Sequence, residues 1–217
     1  RGNLYDRFRQ RLMFPICDHN GNIVGFTARI LKENEDQGGK YINTPQTLIY
    51  NKSFVIYGLD KAKKEIKAKN LAVIVEGNMD VIASHQAGVK NVIASSGTAL
   101  TLEQLKILQR FTNNLAIAFD ADLAGQIAAQ RGIDTALSLG MNVKIIQLPD
   151  KINDQQIKDP DDCIKADIKQ WQKAIDNSIS IMDYYFQRAF KNYNEENPLE
   201  KKEIAAKLLK QIAKLND

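Results

Sequence analysis

Short apolar runs separated by segments of helical periodicity dominate the middle of this chain. The runs are residues 71–75, 91–94, 115–119 and 143–148. Apolar runs of this length, bounded by turn residues, are typical of buried strands. The segments between them predict helices over residues 79–86, from residue 101 onwards, and up to about residue 139. Alternating strands and helices predict an α/β fold, with a parallel sheet flanked by helices.

The flanking segments have different patterns. Residues 14–18 and 23–27 are strand-like, and the Asn-Gly pair between them is a strong hairpin signal. Residues 58–69 predict a helix that leads into the first buried run. The end of the chain is predicted to be mostly helical, with apolar residues on one packed helix face. Those residues are Ile204, Leu208, Leu209, Ile212 and Leu215.

The pattern therefore divides the chain into three predicted units. Residues 1–69 form a small mixed α+β N-terminal lobe, residues 70–160 form the α/β domain, and residues 161–217 form a C-terminal helical subdomain. Thr101, followed by Gln104, is expected to open a helix of the central domain as a capping box.

Acidic side chains follow three of the apolar runs. They are Glu76, Asp120, Asp122, Asp159 and Asp161. The carboxyl ends of parallel strands share one edge of a sheet, and the ligand crevice of such folds lies there. Carboxylates crowded at that edge would repel one another and resist ionising. Hard divalent cations relieve this repulsion and favour oxygen ligands, so the pattern predicts a metal site for phosphate chemistry.

Each acidic motif also has a purely structural explanation. Glu76 alone could be a solvated turn residue, and Asp122 could cap the helix that follows it. Asp161 could cap the next helix, with Asp162 as its rival. Asp80 lies in the first turn of a predicted helix, where it would favour the helix dipole or hold a basic neighbour and so support the metal ligands. The three acidic motifs together favour a metal site.

Charge is distributed unevenly along the chain. Of the net charge of +4, residues 1–70 carry +6, from 13 Lys and Arg against 7 Asp and Glu, and the remainder carries −2. A basic front half beside an acidic crevice suits a polyanion that is held at one surface and processed at the other. The lysine-rich run at residues 61–69, taken alone, favours an ordinary solvated helix face.

Composition narrows the class of protein. The chain has 217 residues, of which 44% are hydrophobic, and contains no apolar stretch long enough to span a bilayer. Its first residues do not resemble a signal peptide. The two cysteines, Cys17 and Cys163, form no C-x-x-C pair, so neither a zinc site nor a disulfide framework is predicted. We therefore expect a protein of a reducing cytoplasm, without a membrane partner.

The acidic motifs resemble the Toprim signature, which primases, topoisomerases, recombination mediators and small nucleases share. The matching segments are Glu-Gly-Asn-Met-Asp at 76–80, Asp-Ala-Asp-Leu-Ala-Gly at 120–125 and Asp-Pro-Asp at 159–161. Residues 5–16, 25–29, 40–45 and 57–59 resemble the RNA polymerase domain of bacterial DnaG-type primases. The resemblance covers nearly all of residues 5–165. Asn78 and Ala121 depart from it, since the family usually has Tyr and Gly at these positions.

The resemblance implies a Toprim-type fold and the catalytic core of a DNA primase. This activity is template-directed synthesis of short RNA primers on single-stranded DNA by metal-dependent nucleotidyl transfer. It implies that Glu76, Asp120 and Asp122 are catalytic. These three, with Asp159 and Asp161, would hold two or more Mg²⁺ or Mn²⁺ ions per site. Whether Glu76 is a ligand or an acid/base group stays open.

The resemblance also implies partners. Arg9, Lys40 and Lys52 match basic positions that line the cleft between the two lobes in the family, and Arg7, Arg11 and Arg29 are further candidates. The partners implied are a single-stranded DNA template and ribonucleoside triphosphates. The family's zinc-binding and helicase-binding domains are expected to be missing from this chain. The resemblance implies that a replicative helicase of the bacterial cytoplasm binds through the helicase-binding domain.

Two other classes of function share some of these features. A Toprim nuclease would have the same acidic site without the basic N-terminal lobe, and a topoisomerase would need a nucleophilic tyrosine in a separate domain. A nucleic-acid-binding module without turnover would bind independently of metal. The complete acidic set favours the primase.

Overall fold

The structure, a computed structural model, describes most of the chain. The described residues are 5–31, 39–95, 99–118, 123–191, 193 and 197–214, with only the backbone considered for 123–129. Within these ranges, no helix combines the length and the apolar character needed to cross a membrane.

The chain forms a three-stranded antiparallel sheet and then a five-stranded sheet with helices on both faces. The strands are β1 (Arg11–Cys17), β2 (Ile23–Ile30), β3 (Tyr41–Asn43), β4 (Ala72–Val75), β5 (Val92–Ala94), β6 (Asn114–Ala118), β7 (Asn142–Ile146), β8 (Lys151–Ile152), β9 (Gln155–Gln156) and β10 (Ile179–Ser180). The helices are α1 (Leu59–Lys69), α2 (Asn78–Gln86), α3 (Leu102–Gln109), α4 (Leu123–Ser138), α5 (Pro160–Ala166), α6 (Ile168–Asp176), α7 (Ile181–Phe190) and α8 (Pro198–Ile212).

The large sheet has the strand order β10-β7-β6-β4-β5. Strands β5, β4, β6 and β7 run parallel, whereas β10 pairs antiparallel with β7 at one edge. The predicted parallel sheet with flanking helices is confirmed, and the antiparallel edge strand adds to it. Because β5 lies on one side of β4 and β6 on the other, the strand order reverses between β4 and β6. Ligand crevices of such sheets lie at this switch point, at the carboxyl ends of the strands.

Buried strand residues alternate between two hydrophobic clusters, one on each face of the large sheet. In β4, Ala72 and Ile74 belong to the first cluster, and Val73 and Val75 belong to the second. Helices α1, α3, α4 and α7 contribute to the first cluster. Helices α2, α5 and α6 and the N-terminal lobe contribute to the second. This alternation follows from the two-residue period of a strand and explains why the runs are apolar throughout.

The predicted N-terminal hairpin is formed by β1 and β2. Asp18 stabilises its turn, since its Oδ1 accepts hydrogen bonds from the backbone N–H groups of Asn20, Gly21 and Asn22, each at 2.9 Å. Gly21 has φ 101°, a conformation that favours glycine. The lobe joins the large sheet through Tyr57, whose backbone exchanges hydrogen bonds with Ala94 of β5 at 2.9 and 3.1 Å.

The structure departs from the sequence pattern after β7. The run at 143–148 ends as a strand at Ile146, and a small β8–β9 hairpin intervenes before Asp159. Asn153 and Asp154 form its two-residue turn with φ 48° and 64°, a conformation that Asn and Asp tolerate. Asp159 therefore does not directly follow a strand of the large sheet, contrary to the prediction.

The prediction of a packed face on the last helix is wrong in part. Leu208 of α8 is buried, whereas Leu209 and Ile212 are 63% and 42% exposed. Helix α8 packs on α7 and is linked to α4 by an ion pair between Lys214 and Asp134. Leu215 lies outside the described residues.

Candidate functional site

Glu76 lies at the carboxyl edge of the large sheet, directly after β4. Gly77 follows as the N-cap of α2, and its backbone N–H donates to Oδ2 of Asp80 at 3.1 Å. A Cβ at position 77 would lie 2.7 Å from that oxygen, so only glycine permits the approach. The turn into α2 therefore fixes Glu76 and Asp80 relative to one another at the switch point.

Asp80 joins this turn to a distant segment. Its Oδ1 accepts a hydrogen bond from the backbone N–H of Asp161 at 3.1 Å, across 81 positions of sequence. Both oxygens of Asp80 thus accept hydrogen bonds from backbone N–H groups. The sequence instead predicts a contact with the helix dipole or with a basic neighbour. We call the segments 76–80 and 159–161, which Asp80 brings together, the acidic corner.

The N-terminus of α5 presents two of the predicted ligands. Asp159 is the N-cap of this helix, since its Oδ1 accepts from the backbone N–H of Asp162 at 2.7 Å, and Pro160 follows it at the first helical position. Asp159 therefore caps α5, a role for which the sequence offered Asp161 or Asp162 as structural alternatives. Asp161 pairs with Lys165 one turn later.

Lys165 is a site residue that the sequence analysis missed. Its ammonium group contacts Oδ2 of Asp161, and this hydrogen bond raises the pKa of Lys165. The spacing of four residues on a helix was the available signal, because residues i and i+4 share a helix face. Lys165 thus offsets part of the negative charge of the acidic corner.

Negative charge is concentrated in the acidic corner. Burial of Asp80, together with the charge of Asp159, raises the pKa of the Asp80 carboxyl to about 6, although two backbone donors oppose the shift. Burial therefore favours the protonated form of Asp80, and the charge of Asp159 adds to this preference. All the candidate ligands are carboxylates, which suit a hard divalent cation, so the residues present fit the predicted Mg²⁺ or Mn²⁺.

Asp80 leads to a prediction about pH and folding. Because its pKa exceeds the ordinary value of 3.8, the folded chain binds more protons than the unfolded chain between about pH 4 and pH 6. The stability that Asp80 contributes is therefore largest below this window and is lost as the pH rises through about 6. The free energy of unfolding of the wild type, relative to Asp80→Asn, should fall by about 2–3 kcal/mol from pH 4 to pH 7.

Urea unfolding in the presence of a chelator measures this difference. Asp176→Asn, at an exposed position at the end of α6, is the matched control because it removes a carboxyl that is not buried. A difference between wild type and Asp80→Asn that stays constant or rises with pH would contradict the prediction.

Two predicted ligands lie beyond what the structure describes. Strand β6 ends at Ala118, and Asp120 and Asp122 follow it in sequence but are outside the described residues. Among the residues that are described, no group of three His, Cys, Asp or Glu side chains is arranged to hold a metal ion. The full five-carboxylate cluster therefore stays a prediction.

Five of the predicted basic residues lie near the open end of the β1–β2 hairpin. Arg11, the first residue of β1, donates from Nη1 to the Gly39 carbonyl at 2.9 Å. The Arg7 guanidinium donates from Nε and Nη2 to the Asn43 carbonyl at 3.3 and 3.2 Å. Arg9 donates to the Asp6 carbonyl at 3.1 Å. Arg29 lies over the Tyr41 ring, with Cζ 5.9 Å from its centroid. The exposed Lys40 is anchored through its backbone carbonyl, which accepts the Ile30 N–H at 3.1 Å.

Lys52 lies instead near the carboxyl edge of the large sheet. The buried Gln104 donates to the carbonyls of Lys52 and Val55 at 3.0 and 2.8 Å, and Thr101 donates to the Ser53 carbonyl at 2.6 Å. Thr101 and Gln104 also form the predicted capping box of α3. Since α3 begins after the carboxyl end of β5, this anchoring places Lys52 on the same edge as Glu76. Sequence reasoning identified the capping box but not its second role.

The fold and the acidic corner define a Toprim-type α/β protein. Two family models match the chain. One is described as "DNA primase catalytic core, N-terminal domain" and matches residues 1–63, and the other, "Toprim-like", matches residues 73–164.

Known relatives extend this match over nearly the whole chain. The DNA primase of Clostridium acetobutylicum is 41% identical over 213 residues, which cover 98% of this chain and 33% of the relative. The E. coli primase catalytic core has a TM-score of 0.79 and 32% identity, with 99% of this chain and 67% of that chain covered. A DnaG primase catalytic domain bound to single-stranded DNA has a TM-score of 0.79 and 32% identity, with coverage of 97% and 65%.

This chain belongs to the family of DnaG-type bacterial primases and contains matches to both the N-terminal catalytic-core and the Toprim parts of the family. It spans about a third of the length of the curated relatives that it matches. The predicted resemblance and the predicted fold class are confirmed.

Proposed function

We propose that this chain is the catalytic core of a DNA primase, a nucleotidyltransferase that synthesises short RNA primers on a single-stranded DNA template. The observation that carries the proposal is the hydrogen bond between Asp80 and the backbone of Asp161. It supports a common acidic site built from two distant segments, in a chain whose relatives are primases. One of the similar solved structures is a primase catalytic domain bound to single-stranded DNA.

The proposed site uses the carboxylates predicted from the sequence. Glu76, Asp159 and Asp161 of the acidic corner, with Asp120 and Asp122 after β6, would hold two or more Mg²⁺ or Mn²⁺ ions. When bound, these ions supply charge neutralisation for the triphosphate and lower the pKa of the attacking hydroxyl. Glu76 serves as one of the ligands or as an acid/base group.

Other side chains prepare the site for this chemistry. Asp80 accepts the N–H groups of Gly77 and Asp161 and so holds the two acidic segments at a fixed separation. Lys165 neutralises Asp161 in the structure and would be displaced from that carboxylate when a divalent ion binds there. In the proposed reaction, the primer 3′-hydroxyl attacks the α-phosphorus of the incoming ribonucleotide and pyrophosphate leaves.

The basic residues would bind nucleic acid and nucleotide. Lys52 is on the edge of the sheet that carries Glu76 and would contact the triphosphate or the nearest template phosphate. Arg7, Arg9, Arg29 and Lys40 would hold the template through phosphate contacts, which are largely independent of sequence.

We also propose the wider setting of this core. The chain consists of an N-terminal lobe at 1–69, a Toprim domain at 70–160 and a helical subdomain at 161–217. The bacterial replicative helicase is a further partner. The reaction takes place in the cytoplasm.

Incubation with labelled ribonucleotides and a single-stranded template tests the proposed activity. The expected product is a short RNA whose formation depends on Mg²⁺ or Mn²⁺ and on the template. A parallel reaction contains labelled DNA without nucleotides. Cleavage of that DNA in place of RNA synthesis would make the protein a Toprim nuclease. Metal-independent binding with neither product would make it a binding module.

Lys40→Ala and Arg9→Ala should each weaken binding of single-stranded DNA. Each removes one proposed phosphate contact, so the slope of log affinity against log salt should decrease by about 0.7. Fluorescence anisotropy over a salt series measures both effects. Lys201→Ala, an exposed change on α8, is the control. Mn²⁺ binding should be unaffected in both variants. If a variant binds single-stranded DNA with unchanged affinity at moderate salt, its substituted residue is not part of the proposed template surface.

A further inference from the structure

Basic side chains from α1 and from the residue that follows α3 line a pocket beside the tip of the β1–β2 hairpin. The pocket has a volume of about 330 Å³. Lys63, Lys64 and Lys67 come from α1, and Arg110 directly follows α3. From the sequence, the lysines of α1 alone favoured a solvated helix face. Because Arg110 from a separate element lines the same pocket, a binding site is favoured over a solvated face. We call the site lined by these four residues the basic pocket.

Specific contacts hold the walls of the basic pocket together. Lys63 Nζ donates to the His19 carbonyl at 2.8 Å, which ties the hairpin turn to α1. The Thr112 hydroxyl donates to Asn70 Oδ1 at 2.8 Å, which ties the end of α3 to the end of α1. Lys67 Nζ lies 5.3 Å from the centroid of the Phe111 ring, a cation–π contact that orients its ammonium group. The pocket is therefore part of the packed fold.

The positive charge of the basic pocket is not neutralised by described carboxylates. The ion pairs of α1 join Lys61 to Asp60 and Lys69 to Glu65. Within the described ranges, none of the four basic residues of the pocket forms an ion pair, and Lys64, Lys67 and Arg110 are exposed. Like charges placed this closely repel one another, so an anion that contacts several of them would be attracted strongly.

The basic pocket lies on the opposite edge of the large sheet from Glu76. Helix α1 ends just before β4 begins, and Arg110 precedes β6, so both reach the amino ends of these parallel strands. Glu76 follows the carboxyl end of β4, a strand of four residues that spans about 13 Å. The pocket is thus separate from the acidic corner, yet close enough for one extended polyanion to contact both.

We propose that the basic pocket is a second binding surface for the phosphate backbone of single-stranded nucleic acid, outside the cleft that holds the reacting end. This inference rests on the proposed function for the identity of its ligand. Lysine and arginine side chains around an open pocket suit several phosphates of a flexible strand, with little sequence preference. The surface would retain the template while its reacting end is at the acidic corner.

The triple variant Lys64→Ala, Lys67→Ala, Arg110→Ala tests this inference in the full chain. Lys63 is kept because it ties the hairpin to α1. The control is Lys201→Ala, Lys202→Ala, Lys210→Ala, which removes the same charge from exposed positions on α8. Anisotropy of labelled single-stranded DNA is measured over a salt series, with a chelator and without nucleotides. Circular dichroism verifies that both variants fold.

The pocket variant should bind the single strand several-fold more weakly than the wild type at moderate salt. Its slope of log affinity against log salt should be smaller by about 2, because three phosphate contacts are lost. The control variant should keep the wild-type slope. Wild-type binding by the pocket variant, or an equal loss in the control, would overturn the inference.

The inference and the proposed function fail separately. A wild-type chain that binds single strands through this pocket but incorporates no ribonucleotide would overturn the proposed activity alone. If the pocket variant binds DNA with unchanged affinity and incorporates ribonucleotides normally, only the inference about the basic pocket is overturned.

Discussion

Replacement of Glu76 by Gln is expected to reduce template-dependent ribonucleotide incorporation by about 100-fold or more. The change keeps the shape of the side chain but removes the negative charge of Glu76 at the switch point. Bound cations that depend on this charge would supply several kcal/mol of transition-state stabilisation. Because Glu76 is half-buried at the end of a strand rather than in the core, the variant should fold.

Mn²⁺ binding distinguishes the two chemical roles of Glu76, and a control variant shows whether the loss of activity is specific to this position. Mn²⁺ binding should weaken if Glu76 is a ligand, whereas it should persist if Glu76 is an acid/base group. Glu203→Gln makes the same chemical change at an exposed position on α8 and should leave incorporation unaltered. Near-normal incorporation by a folded Glu76→Gln protein would refute the proposed role.

Replacement of Trp171 by Ala is expected to cost about 3–5 kcal/mol of the free energy of unfolding, because it empties the site of a large and fully buried side chain. Trp171 belongs to the second cluster together with Ile157 and Cys163, which flank the acidic segment 159–161. The cavity should therefore also loosen α5 and weaken Mn²⁺ binding.

Trp171→Phe should cost clearly less than Trp171→Ala. The indole Nε1 is buried and has no hydrogen-bond acceptor among the described residues, so phenylalanine removes an unsatisfied donor while it retains most of the apolar volume. Urea unfolding followed by circular dichroism is suitable, since Trp171 is the single tryptophan of the chain. Equal costs for the two variants would contradict this account.

The sequence predicted the large sheet well because its signal is local. Each strand is an apolar run, and the two-sided burial seen in β4 requires that composition. The position of Glu76 at the carboxyl edge was predictable for the same reason, since it directly follows its strand. The β8–β9 hairpin was missed because its strands have two residues each, and its turn depends on left-handed Asn153 and Asp154.

Contacts between distant segments could not be predicted from the sequence. Nothing in a single sequence pairs Asp80 with the backbone of Asp161, because the hydrogen bond depends on the packing of α2 against α5. The exposed face of α8 was misjudged for a related reason. Helical periodicity indicates an apolar face, but only tertiary structure decides whether a neighbour covers Leu209.

The side chain of Gln104 has a consequence for the dynamics of the molecule. By donating to the carbonyls of Lys52 and Val55, it fixes the segment that joins the two sheets, and the bridge between Tyr57 and Ala94 fixes the end of that segment. A hinge at this junction would have to break buried hydrogen bonds, so the two sheets should move as one rigid unit. A single strand bound as proposed would then meet a surface that is already preorganised, which lowers the entropic cost of association.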